Sequence, residues 1–288
     1  MPFPDDPALL VDSMPVVMGI INVTPDSFWA GSRRPDVSAA VETARGMAEA
    51  GAAIIDVGGE STRPGAEPVS QDEEVSRVVP LVRALAEGAG LVVSVDTRNP
   101  VVAGAALEAG ARIINDVGGM ANPDMRSLAS ASQATAIIMH MQGEPGTMQD
   151  APRYQDVCAE VDAFFARQIE LCLASGIRRE RIWLDPGIGF GKRLEDNLAL
   201  IAGLARFTRH GCPLVLGISR KSFIGAVTGH PVDKRLLGTC LYHMACLTGG
   251  AGVLRVHDVP EAVETITVWR SLAWRIDGEI SQKPAFSP

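Results

Sequence analysis

The 288-residue chain sets 26 Lys and Arg against 34 Asp and Glu, a net charge of −8, in a composition that is 47% hydrophobic and 21% charged. That balance excludes the broad basic surface of a nucleic-acid binder, so any anion the protein takes must be met by a local cluster of cations. Five cysteines (Cys158, Cys172, Cys212, Cys240, Cys246), odd in number and without a C-x-x-C pair, argue for a reducing compartment and against a disulfide framework or a structural zinc. No apolar run nears the ~20 residues of a membrane span. The acidic, proline-rich start at residues 1–6 is the reverse of a signal peptide, so the expected address is the cytoplasm.

From Val16 onward, short β-branched runs alternate with longer amphipathic stretches. Strands are expected at 16–21, 53–57, 91–96, 112–116, 135–140, 181–185, 214–219 and 252–256. Helices are expected at 37–50, 72–87, 100–109, 122–130, 157–175, 197–207, 235–248 and 261–275. Gly51, Gly110, Gly176 and the pair Gly249-Gly250 stand where helices should stop. Strands separated by helices call for a parallel sheet, and runs such as Leu214-Val215-Leu216 suit strands covered on both faces. The alternative, a doubly wound open sheet, usually carries G-x-G-x-x-G after its first strand, whereas the turn here reads Asn22-Val23-Thr24-Pro25-Asp26. The expected architecture is therefore α/β, a single (β/α)8 TIM barrel over 16–277. A lead-in at 1–15 precedes it, and a tail at 278–288 has the composition of a flexible segment.

Polar residues collect at the expected C-terminal ends of these strands: Asn22, Asp56, Asp96, Asn115 with Asp116, His140, Asp185, Ser219 with Lys221, and Arg255 with His257. One such residue is readily a turn cap. All eight strand ends together describe the catalytic face of a barrel. The chain has no G-x-S-x-G elbow, no H-E-x-x-H and no close pair of zinc ligands. The chemistry on offer is the holding of two reactants and the stabilisation of charge, without covalent attack by the protein.

Several strings then become specific. Met18-Gly19-Ile20-Ile21-Asn22-Val23-Thr24-Pro25-Asp26-Ser27-Phe28 and Asp56-Val57-Gly58-Gly59-Glu60-Ser61-Thr62-Arg63-Pro64-Gly65 resemble the first and second loops of the dihydropteroate synthase family. Ser94-Val95-Asp96-Thr97, Ile113-Ile114-Asn115-Asp116-Val117 and Met139-His140-Met141-Gln142-Gly143 follow in the family's order. So do Leu184-Asp185-Pro186-Gly187-Ile188-Gly189-Phe190-Gly191-Lys192, Ser219-Arg220-Lys221-Ser222-Phe223-Ile224-Gly225 and Arg255-Val256-His257-Asp258-Val259. The resemblance runs unbroken from about Val16 to Thr267.

What the resemblance implies is a transferase of folate biosynthesis. It would condense hydroxymethyl-dihydropterin diphosphate with p-aminobenzoate, with diphosphate leaving a cation that the pterin ring stabilises. Asp96, Asp185, Lys221, Arg255 and His257 take the catalytic places. Asp185, Asn115, Lys221 and Asp96 would read the pterin, alongside Met139. Asn22 would be an oxygen ligand to Mg²⁺, with Arg255 and His257 around the diphosphate; Thr62 and Arg63 would complete a closing loop. Phe190, Lys221, Ser222 and Pro64 would form the p-aminobenzoate pocket, where sulfonamides would compete. Homodimerisation is a further implication, the last helices carrying Leu247, Trp269 and Trp274. Plain structural readings stand beside these: Arg63 and Arg255 pairing with carboxylates, and Phe190 packing in the core.

The first loop departs from the family after Phe28, where Trp29-Ala30-Gly31-Ser32 replaces the usual Ser-Asp-Gly-Gly and removes an acid at Ala30. Three rival readings stand beside this one: a pterin-dependent methyltransferase domain, a catalytically silent pterin-binding paralogue, and a phosphate-handling barrel isomerase, which would need an acid–base pair the chain does not offer.

Overall fold

A computed structural model of the chain describes residues 6–7, 15–23, 37–60, 69–144 and 146–276. Eight strands form a closed barrel in chain order: β1 (Val16–Asn22), β2 (Ala52–Gly58), β3 (Val93–Asp96), β4 (Ile113–Asp116), β5 (Thr135–Met139), β6 (Ile182–Asp185), β7 (Leu214–Leu216) and β8 (Ala251–Val256). Every neighbouring pair is parallel, and β8 closes onto β1 through Val16↔Val253 to Gly19↔Val256. The expected (β/α)8 barrel is the fold.

Among the described residues the α-helices are α1 (Val37–Glu49), α2 (Gln71–Gly88), α3 (Pro100–Glu108), α4 (Pro123–Ser132), α5 (Val157–Ala174), α6 (Leu194–Ala202), α7 (Ser222–Thr228), α8 (Leu236–Thr248) and α9 (Val259–Ile276). Their starts are set by side chains. Ser70, Asn99, Asn122 and Asp156 each accept a first-turn N–H, and Pro100 and Pro123 fill positions where no N–H is needed. The stops are as expected, with positive φ at Gly51, Gly110, Gly176 and Gly250; of the last pair only the second residue is left-handed.

Three expectations are corrected. The seventh strand ends at Leu216, not Ser219, because the chain turns at Ser219-Arg220, where the Lys221 N–H donates to the Ile218 carbonyl at 3.2 Å. The helix expected at 197–207 begins at Leu194 and gives way to a 3-10 segment, Leu204–His210. The segment after Lys221, left without an element, is the short helix α7.

Two apolar layers hold the barrel. The larger lies between strands and helices. The smaller, inside the barrel, takes Val16 and Met18, Ile54, Val92, Ile113, Ile137, Trp183, Val215 and Val253, drawn from all eight strand segments. Because side chains alternate across a strand, this inner layer decides which residues face inward one step higher.

Candidate active site

Two residues beyond each inner-layer side chain stand Asp56, Ser94, Asn115, Met139, Asp185, Gly217 and Arg255; one step higher on β1, β2 and β3 come Asn22, Gly58 and Asp96. The polar residues expected at the strand ends thus share the barrel axis for a geometric reason. Gly217 marks where they meet: a Cβ placed on it would lie 3.8 Å from Arg255 Cδ, 3.9 Å from Asp185 Oδ2 and 4.0 Å from Lys221 Nζ.

Arg255 organises one side. Its Nε donates to Asp56 Oδ2 at 2.6 Å and its Nη2 to Asp96 Oδ2 at 2.6 Å. Asn115 Nδ2 donates to the same Asp56 oxygen at 3.2 Å. The guanidinium expected beside diphosphate is therefore committed to two inward carboxylates, neither of them on the surface. Asp56 is fully buried and requires a counter-charge. Burial works against charge on Arg255, yet Asp56 and Asp96 hold its pKa above the ordinary value. Burial pushes the Asp96 carboxyl up to about 7, opposed by Arg255 and reinforced by repulsion from Asp56.

Asp185 and Lys221 form the other side. Asp185 Oδ1 accepts from Gly187 N at 2.7 Å, and burial raises its pKa while Lys221 works to lower it. Lys221 donates to the carbonyl of Ile188, and its Nζ lies 4.4 Å from the centre of the Phe190 ring. Burial lowers Lys221 to about 8, with Asp185 resisting and Arg255 assisting.

At the rim, His257 lies just past the end of β8 and is exposed, so the strand alternation expected to align it with Arg255 has ended. Its Nδ1 is 3.2 Å from Ser219 Oγ. Arg220, in a left-handed conformation (φ 55), forks onto Asp258 with two 2.8 Å bonds. That pair ties the turn carrying Ser219 and Lys221 to the one carrying His257.

Other expected residues fall differently. Ser222 is an exposed first residue of α7, on the outer side of the Lys221 turn. Asp116 is the plain turn cap, accepting from Gly118 N at 2.7 Å and Met120 N at 2.8 Å, and burial takes its pKa up to about 6. His140 turns away from the cavity to Lys192, 3.0 Å from its amine. Thr62, Arg63, Pro64 and the Trp29-Ala30 departure lie outside the described residues. Sequence reasoning left Asp56 without a role and passed over Gly217 and the Arg220–Asp258 pair. The first two could have been found by counting two residues on from Ile54 and Val215. Nothing local marks the third.

Residues 18–257 match the family model for pterin binding enzymes. The chain is 47% identical over 256 residues to the dihydropteroate synthase of Escherichia coli K12, covering 89% of this chain and 91% of that one. Among solved structures it is similar to the Yersinia pestis dihydropteroate synthase in complex with a sulfonamide drug, at 42% identity and TM-score 0.86 over 91% of this chain and 95% of that one. The Xanthomonas albilineans dihydropteroate synthase with 4-aminobenzoic acid aligns at 42% identity and TM-score 0.85, over 91% and 94% of the two chains. The chain belongs to the pterin-binding enzyme family, the class that its barrel and axial carboxylates define. Within that family its place is with the dihydropteroate synthases, transferases of folate biosynthesis.

Proposed function

We propose that the axial cluster joins the methylene of a dihydropterin diphosphate to the amino group of p-aminobenzoate. The observation that carries this reading is the convergence of Asp185, Lys221 and Arg255 around the bare backbone of Gly217, where a flat heterocycle finds room and polar partners together. Asp185 Oδ2 accepts from the amino and ring N–H edge of the pterin, and Lys221 donates to its oxygen and nitrogen. Asn115 presents its amide, Met139 an apolar contact. Arg255, with Nε and Nη2 engaged, turns its remaining edge and its flat face to the substrate.

The C–O bond to diphosphate breaks with its electron pair leaving on oxygen. The carbocation is delocalised into the ring, and the aniline lone pair closes the new C–N bond. Three inward carboxylates, Asp56, Asp96 and Asp185, face two cations, Arg255 and Lys221, so the site favours a substrate that gains positive charge. An aniline is neutral near pH 7, and no strong base is required; its proton leaves to water after the bond forms. His257 adds a donor for the departing diphosphate. Phe190 and Lys221 wall the arylamine pocket, and Ser222 flanks its outer rim. Sulfonamides, as arylamine mimics, compete there.

Mg²⁺ fits the opposite rim. Asn22 Oδ1 and Asp96 Oδ2 lie 3.4 and 3.7 Å from where a Cβ on Gly58 would stand, so hard oxygen donors face a space that glycine keeps open. Among the described residues no group of three or more His, Cys, Asp and Glu could hold a metal alone. Asn22 would therefore share the ion with phosphate oxygens and water. When bound, the ion neutralises charge on the leaving group. No helix among the described residues is long and apolar enough to cross a membrane, and the reading places the enzyme in the cytoplasm. Two copies would pair through the exposed apolar face of α8 and α9.

The test is a coupled assay of diphosphate release with both substrates, with Mg²⁺ present or chelated. Release that depends on p-aminobenzoate and falls on chelation is expected. Release indifferent to the arylamine, or to the metal, overturns the corresponding part.

A further inference from the structure

Five consecutive carbonyls after β6 each accept a hydrogen bond from a side chain. Those of Gly187 and Phe190 accept from the Lys192 amine, at 2.9 Å each. The carbonyl of Ile188 accepts from Lys221, that of Gly189 from Gln149 Nε2 at 2.8 Å, and that of Gly191 from the Tyr154 hydroxyl at 2.8 Å. The Gly189 N–H donates to Asn197 Oδ1 at 2.6 Å. The backbone is left-handed at Gly187, Gly189 and Gly191 (φ 65, 83 and 58). A Cβ at 187 would run into the His140 carbonyl, and one at 191 into that of Gln142. A loop tethered in this way has one large side chain to present on the side of the cavity, Phe190, and Lys221 lies over its ring.

Lys192 is the hub of these tethers. It is 3% exposed, and its amine also reaches β5, 3.0 Å from His140 Nδ1 and 3.2 Å from the His140 carbonyl. As an ammonium its three N–H groups meet four acceptors drawn from two strand ends, and burial lowers its pKa to about 7, with Asp185 resisting and Lys221 assisting. The imidazole accepts at Nδ1, and burial together with the adjacent ammonium holds it neutral. A buried ammonium is costly, and an apolar side chain of the same length would fill the space. It would also take the Lys192 donor from both carbonyls, leaving that of Gly187 with the Phe190 N–H at 3.0 Å. The amine lies beneath the loop and contacts backbone and His140, so it belongs to neither substrate pocket.

We infer that Lys192 is a positioning residue for the arylamine: it sets the height and tilt of Phe190. The inference rests on Phe190 walling the p-aminobenzoate pocket, as proposed above. Steady-state kinetics with each substrate varied separately test it, using Lys192→Met, Tyr154→Phe and, as a control on the pocket, Phe190→Ala. Lys192→Met should raise KM for p-aminobenzoate about tenfold, with KM for the pterin diphosphate changed by less than about twofold. Tyr154→Phe removes one tether from a half-buried hydroxyl and should raise the same KM by about threefold, which keeps the test open if Lys192→Met does not fold. The ¹⁵N shift of His140 Nδ1 should move in Lys192→Met and stay fixed in Tyr154→Phe. If Phe190→Ala raises KM for p-aminobenzoate and neither tether variant does, or if the tether variants raise both KM values equally, Lys192 is not a positioning residue. If Phe190→Ala leaves that KM unchanged, the pocket reading itself falls, and the inference with it.

Discussion

Within the axial cluster, burial moves both Asp96 and Lys221 toward neutrality. Asp96 is raised by burial to about 7 and gains its negative charge only as pH passes that value. Lys221 is lowered by burial to about 8 and loses its positive charge above that. If catalysis needs the first deprotonated and the second protonated, kcat/KM should climb to a narrow plateau between the two values and then fall. The profile should be measured after correcting for ionisation of the substrate diphosphate. Lys221→Arg, which stays charged, should abolish the alkaline fall even where it lowers the rate. A profile flat from about pH 6 to 9 would remove Asp96 and Lys221 from the roles given to them. Both residues were legible in the sequence as strand-end groups. Their altered acidities were not, because these come from burial and from neighbours on other strands.

At the level of elements, the apolar period placed the strands and most helices to within a few residues, and the discrepancies have local causes. Helix α6 begins without a Ser, Thr or Asp cap. Asp196 instead accepts from the Arg193 backbone N–H at 3.0 Å and from its guanidinium, a reciprocal arrangement that no short cap signal marks. Helix α7 is one β-branched, glycine-containing stretch entered from Lys221 with no side-chain cap, so propensity alone does not announce it. Helix α8 carries a testable feature. His243 is 1% exposed, and neither ring nitrogen has a hydrogen-bond partner. Burial lowers it to about 4, with Asp258 resisting. The folded state holds the ring neutral, whereas the unfolded chain protonates it near its ordinary value. Its contribution is whole above about pH 6.5 and is lost as pH falls toward 4, by up to about 3 kcal/mol. Denaturant melts of His243→Leu between those limits should show a shallower loss of stability with acid than the parent. The remaining slope is due in part to His140, which burial and Lys192 depress to about 3. An unchanged slope would mean that His243 is not held neutral by the fold.

On the scale of the whole molecule, an apolar face formed by α8 and α9 is uncovered among the described residues. Leu237 and Leu241 of α8 are 71% and 63% exposed, and Val268 and Leu272 of α9 are 48% and 51% exposed. They border a groove lined by Cys240, Met244 and Thr265. Such apolar surface suits the pairing proposed above. The chain should sediment as a dimer at micromolar concentration, and Leu241→Arg should sediment as a monomer with unchanged far-UV circular dichroism. A monomeric parent, or a dimeric variant, would refute the pairing through this face.

The sequence by itself determined the strand–helix alternation, the parallel sheet that alternation demands, and the rim on which the polar groups gather. Each of these follows from periodicity and from the identity of the residues that end each strand, which are local properties of the chain. Only the tertiary structure decided the partners: Arg255 clasping Asp56 and Asp96 from 199 and 159 residues away, and Lys192 reaching back to His140. Such pairings depend on which strands become neighbours, in which register, and on which side chains the inner apolar layer turns toward the axis. A chain's local preferences carry no record of the distant charge that a buried carboxylate will meet.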